Sequence, residues 1–311
     1  MAHSGDNIAA VPIDLAIERI RRIYGGWGRG TSVAQMRSDW DAAFQASTVP
    51  VSTMRVSAGG VDGEWIAADG VQPGNAILYF HGGGFRLGSV SSHRELIARI
   101  SEASRCRVLA INYRLAPEHR FPAPVEDAIA AYRWMLDQGL KPGNIAFAGD
   151  SAGGNLVLAA MLGLREQGLP LPAAAVLMSP WTDLAATGES YANRSGADPI
   201  HQRPMILALA KNYLGPDGDP RNPLASPLYG ELGGLPPLLI QVGDRETVLD
   251  DSIMFADKAR AAGVDVELEV WDGMIHVFQM FRELPEAGRA IASIAGFLNR
   301  HLHIKDERAS S

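Results

Sequence analysis

The chain has 311 residues, 47% of them hydrophobic and 20% charged, which is enough apolar material for one large core and excludes an extended disordered chain. Its 28 basic residues stand against 35 acidic ones, and the net charge of -7 argues against nucleic acid or an anionic membrane as partner. Cys106 is the sole cysteine, so no internal disulfide can form; the opening lacks the basic start and apolar core of a signal peptide, and no stretch approaches the roughly 20 apolar residues of a membrane span, so a cytoplasmic protein is expected.

Near the N-terminus Ile13, Ala16, Ile17, Ile20 and Ile23 recur at three- and four-residue intervals, and so do Val33, Met36, Trp40 and Phe44. Both runs predict amphipathic helices. From Val51 the period changes: "VSTMRVSA" and "GEWIAA", joined through "GGVDG", read as a β-hairpin. Six apolar runs follow, "AILYF", "RVLAIN", "IAFAG", "AAAVLM", "LLIQVG" and "VELEVW", nearly all separated by helical stretches. Strand and helix in alternation predict an α/β fold with a mostly parallel sheet covered on both faces and active groups beyond its carboxyl edge.

One interval breaks the rhythm. Between "SPWTDL" and "LLIQVG" runs a long Pro- and Gly-rich segment with a helical patch at Met205 to Tyr213, and connections beyond about 15 residues are usually lids or functional insertions. The expected organisation is residues 1–50 as helices of a cap, 51–187 as the first part of the core, 188–230 as a cap insertion, 231–303 as the second part of the core, and 304–311 as a flexible tail.

Two motifs carry chemistry. In "IAFAGDSAGGNLVLAAMLGL" a strand runs into Gly149-x-Ser151-x-Gly153 and a helix runs out, the setting of a nucleophile elbow. A serine needs a base and the base an orienting anion, and in this strand order both follow the serine. Of the histidines after Ser151, His301 and His303 end a polar helix and His201 lies in the insertion, so these are expected to be solvated; His276, in the loop past the last strand, is the expected base. Spacing leaves both Asp244 and Glu246 within reach as the acid, whereas Asp250 and Asp251 read as helix-start residues. The glycines of "HGGG" permit backbone N–H groups to approach a developing oxyanion, so those of Gly83, Gly84 and Ala152 are the expected donors. His81 is expected to order this loop, and Asp150 to support the elbow.

With "HGGGF", "YRLAPEHRFPAPVEDA", "GDSAGG", "SPWTDL" and the late "DG-x-x-H" in order, the chain from about Val51 to Leu302 resembles the bacterial hormone-sensitive lipase family of α/β hydrolases, in its GDSAG branch. The resemblance implies the α/β-hydrolase fold with a helical cap, and hydrolysis of small uncharged carboxylic esters, about C2 to C8, with no metal or organic cofactor. The family's acid heads a D-P-L-x-D pattern; anchoring its last aspartate on Asp250 puts the acid at Glu246, a glutamate where aspartate is commoner. Tyr113, Arg114, Pro117, Glu118 and Asp127 match a second family motif expected to brace the glycine loop. Trp40, Phe44, Phe85, Tyr213 and Phe278 are candidates to line an apolar pocket, and family likeness suggests a homodimer through the sheet edge. The chain also looks like relatives that open monoterpene lactones with the same residues. The plant gibberellin receptor resembles this fold and binds without turnover, but lacks the histidine that stands here as His276.

Overall fold

The hairpin and the six apolar runs after it form a single eight-stranded sheet. The structure, a computed structural model, describes residues 12–302; the readings made on residues 1–11, on His303 and on the tail lie outside that range. In chain order the elements are α1 (Pro12–Gly25), α2 (Val33–Phe44), β1 (Val51–Ala58), β2 (Val61–Ala68), β3 (Ala76–Phe80), α3 (Val90–Ser104), β4 (Arg107–Ile111), α4 (Ala123–Asp137), β5 (Ile145–Asp150), α5 (Ala152–Glu166), β6 (Ala174–Met178), α6 (Ser190–Asn193), α7 (Arg203–Leu214), β7 (Leu238–Gly243), α8 (Leu249–Ala261), β8 (Val266–Trp271) and α9 (Pro285–His301).

The sheet order is β1-β2-β4-β3-β5-β6-β7-β8. β2 pairs antiparallel with β1 and β4, and every later pairing is parallel. Period two divides the strands between two cores: Leu78 and Phe80 join the apolar layer under α4, α5 and α8, while Ile77 and Tyr79 join the layer under α3 and α9. Strands covered on both faces read as unbroken apolar runs, and β3, β5, β6 and β7 are buried at every position. Each fully buried Leu, Ile or Phe there contributes about 1.5–3 kcal/mol from apolar burial.

This order places the site. Phe80 at the end of β3 pairs with Gly149 at the end of β5, so the "HGGG" loop and the serine elbow leave the sheet side by side. β6, β7 and β8 follow as neighbours, which brings the segments after β7 and β8 to the same edge. A third apolar cluster packs Ala16, Ile17 and Ile20 of α1 and Trp40 and Phe44 of α2 against Ile275, Phe278 and Phe281 from the loop beyond β8. Among the described residues no helix is long and apolar enough to cross a membrane.

Candidate active site

Ser151 stands between β5 and α5 with φ 53° and ψ −118°, a left-handed conformation that non-glycine residues rarely adopt. The turn closes because a Cβ on Gly153 would collide with the Phe80 carbonyl and one on Gly149 with the Gly153 backbone. Ser151 N–H donates to the Met178 carbonyl at 2.8 Å, and Trp181 N–H donates to the Ser151 carbonyl at 3.1 Å. The strained serine is thus pinned to the neighbouring strand.

Its Oγ lies 2.9 Å from Nε2 of His276, and Nδ1 of His276 lies 2.7 Å from Oε2 of Glu246. Glu246 is fully buried, and its Oε1 accepts the Ser179 hydroxyl at 2.7 Å and the Gly243 N–H at 2.6 Å. These two donors fix the carboxylate so that its second oxygen faces the imidazole. Asp244 does not reach His276: its N–H donates to the Trp271 carbonyl, and its Oδ1 is enclosed without a partner among the described residues. Asp250 and Asp251 do sit in the first turn of α8, but their carboxylates accept N–H groups of Ser190 and Asp183 rather than of their own helix.

Burial works against a charged His276, yet the charge and hydrogen bond of Glu246, with Asp198 and Asp150 farther off, outweigh it and hold the ring above the usual histidine value. If His276 is the base expected from the sequence, it must be neutral to accept a proton, so kcat/KM is expected to fall as pH drops through a midpoint above the usual histidine value of about 6.5. A pH–rate profile checks this; a midpoint clearly below that value contradicts it.

The glycine loop is built for close approach. Gly82 N–H donates to Oδ1 of Asp150 at 3.1 Å, whereas those of Gly83, Gly84 and Ala152 meet no protein acceptor among the described residues. Gly83 and Gly84 have φ of 119° and 63°, and Leu87 N–H closes the turn onto the Gly83 carbonyl at 2.9 Å. His81 donates through Nδ1 to the Gly82 carbonyl and stacks on Tyr113, whose hydroxyl donates to the His81 carbonyl at 2.7 Å. Arg114 pairs with Asp127, and Glu118 pairs with Arg37 of α2, which also donates to the carbonyls of Arg86 and Ala116. Below the loop, the Asp150 carboxylate takes the Tyr79 hydroxyl at 2.7 Å and faces Nε2 of His93 at 3.3 Å. Burial alone would raise Asp150, but the charge and hydrogen bond of His93 hold it below the usual carboxylate range.

A cavity of about 180 Å³ opens over Ser151 and His276. Its aromatic walls are Tyr24, Trp27, Trp40, Trp181 and Phe281. Of the five aromatics expected there only Trp40 lines it; Phe44 and Phe278 fill the cluster beneath α1 and α2, and Phe85 stacks on Tyr213 of α7 with ring centroids 3.8 Å apart. His201 corrects a second expectation. It is buried against His276, not solvated, because Oδ1 of Asp198 accepts its N–H at 2.9 Å and turns the segment inward. His301, the other histidine expected in solvent, is half-buried against Phe297. Ser179 escaped notice too, although its place in "SPW" directly after a strand was a usable signal.

Strand order, elbow and a hydrogen-bonded histidine–carboxylate pair arriving from later strands define an α/β hydrolase. The model of the alpha/beta hydrolase fold family matches residues 77–280. An acetyl-hydrolase of Streptomyces hygroscopicus is 46% identical over 244 residues, 78% of this chain and 81% of that protein, and an esterase of Acinetobacter venetianus is 40% identical over 254 residues, 81% and 83% of the two chains. The crystal structure of an esterase from the bacterial hormone-sensitive lipase family, 46% identical, superposes with a TM-score of 0.90 over 94% of this chain and 98% of that one. The chain belongs to the α/β-hydrolase family, in its bacterial hormone-sensitive lipase group of carboxylic ester hydrolases.

Proposed function

We propose that the protein hydrolyses short-chain carboxylic esters, about C2 to C8, in two steps through an acyl-enzyme on Ser151. The observation that carries this is the unbroken hydrogen-bonded run from Ser151 through His276 to Glu246, set beside three N–H groups without acceptors among the described residues. Ser151 Oγ attacks the ester carbonyl while its proton passes to Nε2 of His276, and Glu246 stabilises the imidazolium. The N–H groups of Gly83, Gly84 and Ala152 hold the tetrahedral oxyanion. Its collapse expels the alcohol, which takes the proton from Nε2; water then repeats the sequence and releases the acid.

The cavity's size and largely apolar walls favour a small uncharged ester, and the acetyl-hydrolase relative supports short acyl groups. Helices α1 and α2 and the insertion at 188–230, which bring Tyr24, Trp40, His201 and Leu209 to the cavity lining, act as the cap. Hydrolysis of p-nitrophenyl esters from acetate to palmitate tests the reading. The expected result is a maximum among the short esters and a fall of about a hundredfold or more by palmitate. Preference for palmitate overturns the chain-length assignment, and ring opening of a lactone without turnover of any ester in the series overturns the substrate class.

A further inference from the structure

One buried group beside the reacting atoms has no part in the mechanism above. His201 lays its ring against that of His276, edge to face, with centroids 4.4 Å apart and planes at 84°. It also lines the cavity over Ser151. It comes from the segment between α6 and α7, outside the sheet, and what holds it there is Asp198. Oδ1 of Asp198 accepts the N–H groups of Ile200 and His201 at 2.8 and 2.9 Å, and Oδ2 accepts the N–H and hydroxyl of Thr247 at 2.8 and 3.1 Å. Thr247 directly follows Glu246, so one carboxylate ties the insertion to the segment that carries the proposed acid.

Those four bonds account for the turn, but not for an imidazole aimed at the base. Nδ1 of His201 stands 3.9 Å from Oδ2 of Asp198, beyond hydrogen-bond range, and is enclosed without another partner among the described residues. Asp198, only 5% exposed, thus lies one imidazole away from His276. We propose, resting on His276 as the base of the reaction above, that Asp198 and His201 are positioning residues for it: His201 packs the ring into line, and Asp198 adds a second buried negative charge to that of Glu246.

The charged groups facing His276 are Glu246 after β7, Asp198 of the insertion and Asp150 of β5. The titratable groups facing Asp198 are His201, His276 and, from α1, the Tyr24 hydroxyl. Burial, then the charge of His276, holds His201 below the usual histidine value against the pull of Asp198, which favours a neutral ring beside a protonated His276. The Asp198 charge favours the imidazolium, so removing it should lower the basicity of His276. Through this pair the insertion acts on the chemistry as well as on the pocket's shape.

The test measures pH–rate profiles with p-nitrophenyl acetate for wild type, Asp198→Asn, His201→Ala and His201→Phe, with rates corrected for active sites by the p-nitrophenol burst. Asp198→Asn is expected to move the acid limb of kcat/KM down by about 0.5–1 pH unit. His201→Ala is expected to lower kcat about tenfold with KM little changed, and His201→Phe, which keeps an aromatic ring, to restore most of that loss. A purely structural role would lower the active fraction and leave corrected kcat and the limb in place, and that result overturns the proposal. If Asp198→Asn does not fold, the His201 pair decides: equal corrected kcat for wild type and His201→Ala overturns it. Wild-type activity in His276→Asn would instead overturn the base assignment itself, whatever these variants do.

Discussion

Replacing Glu246 with glutamine is expected to lower kcat for a short p-nitrophenyl ester by about ten-thousandfold, with little change in KM. The carboxylate offers acceptors on both sides: Oε1 takes donors from Ser179 and Gly243, and Oε2 faces Nδ1 of His276. A glutamine keeps only one acceptor oxygen. If its oxygen stays with Ser179 and Gly243, its amide turns donors toward Nδ1, stabilising the tautomer whose Nε2 carries the proton and cannot take one from Ser151. The opposite flip sets amide donors against the Ser179 and Gly243 donors in a site closed to water. Asp244→Asn is expected to stay within about twofold of wild type, because its carboxylate touches nothing in the run. Steady-state kinetics of the two variants side by side check this; a crippled Asp244→Asn with an active Glu246→Gln contradicts it.

Gly83→Ala is expected to cost about a hundred- to a thousandfold in kcat. At φ 119° an L side chain is strained, and a Cβ there would collide with the Leu87 carbonyl. The loop must open to admit it, which swings the Gly83 and Gly84 N–H groups away from the place proposed for the oxyanion. Gly60→Ala is the control, since Gly60 also has positive φ, at 94°, but meets nothing within 4 Å and lies at the distant hairpin. That change should cost about 1 kcal/mol of stability and leave kcat near wild type. Equal kcat losses in the two variants would assign the effect to backbone strain in general and remove Gly83 from the oxyanion site.

Strands β3, β5, β6 and β7 were readable to within about a residue because they are buried on both faces, so their runs are apolar but for Gln241 and the terminal Asp150, whereas β2, which carries Asp62 and Glu64, starts two residues before the run read for it. The meeting of Ser151, His276 and the glycine loop follows from motifs that each require a strand end, and strand ends at one sheet edge converge. Spacing could not separate Asp244 from Glu246, because two positions on one turn are equally near in sequence. What separates them is Ser179, which arrives from β6 and orients one carboxylate only. His201 was misread for a similar reason. A histidine among prolines and glycines looks solvated, and its burial depends on Asp198 folding the segment back and on Thr247 receiving it. A short-range signal was present, an aspartate three residues before the histidine, able to close an Asx turn. Phe85 and Tyr213 show the other limit: residue type marked both for burial, but their mutual stacking, which consigns them to the core, is a long-range contact.

An acyl-enzyme on Ser151 can be looked for directly. The protein is mixed briefly with p-nitrophenyl butyrate and quenched in acid, and its intact mass and peptide map are read by mass spectrometry. One butyryl group is expected, on the peptide that carries Ser151, absent from Ser151→Ala and accompanied in wild type by a matching burst of p-nitrophenol. A butyryl group on another residue that tracks turnover, or undiminished turnover by Ser151→Ala, would contradict it.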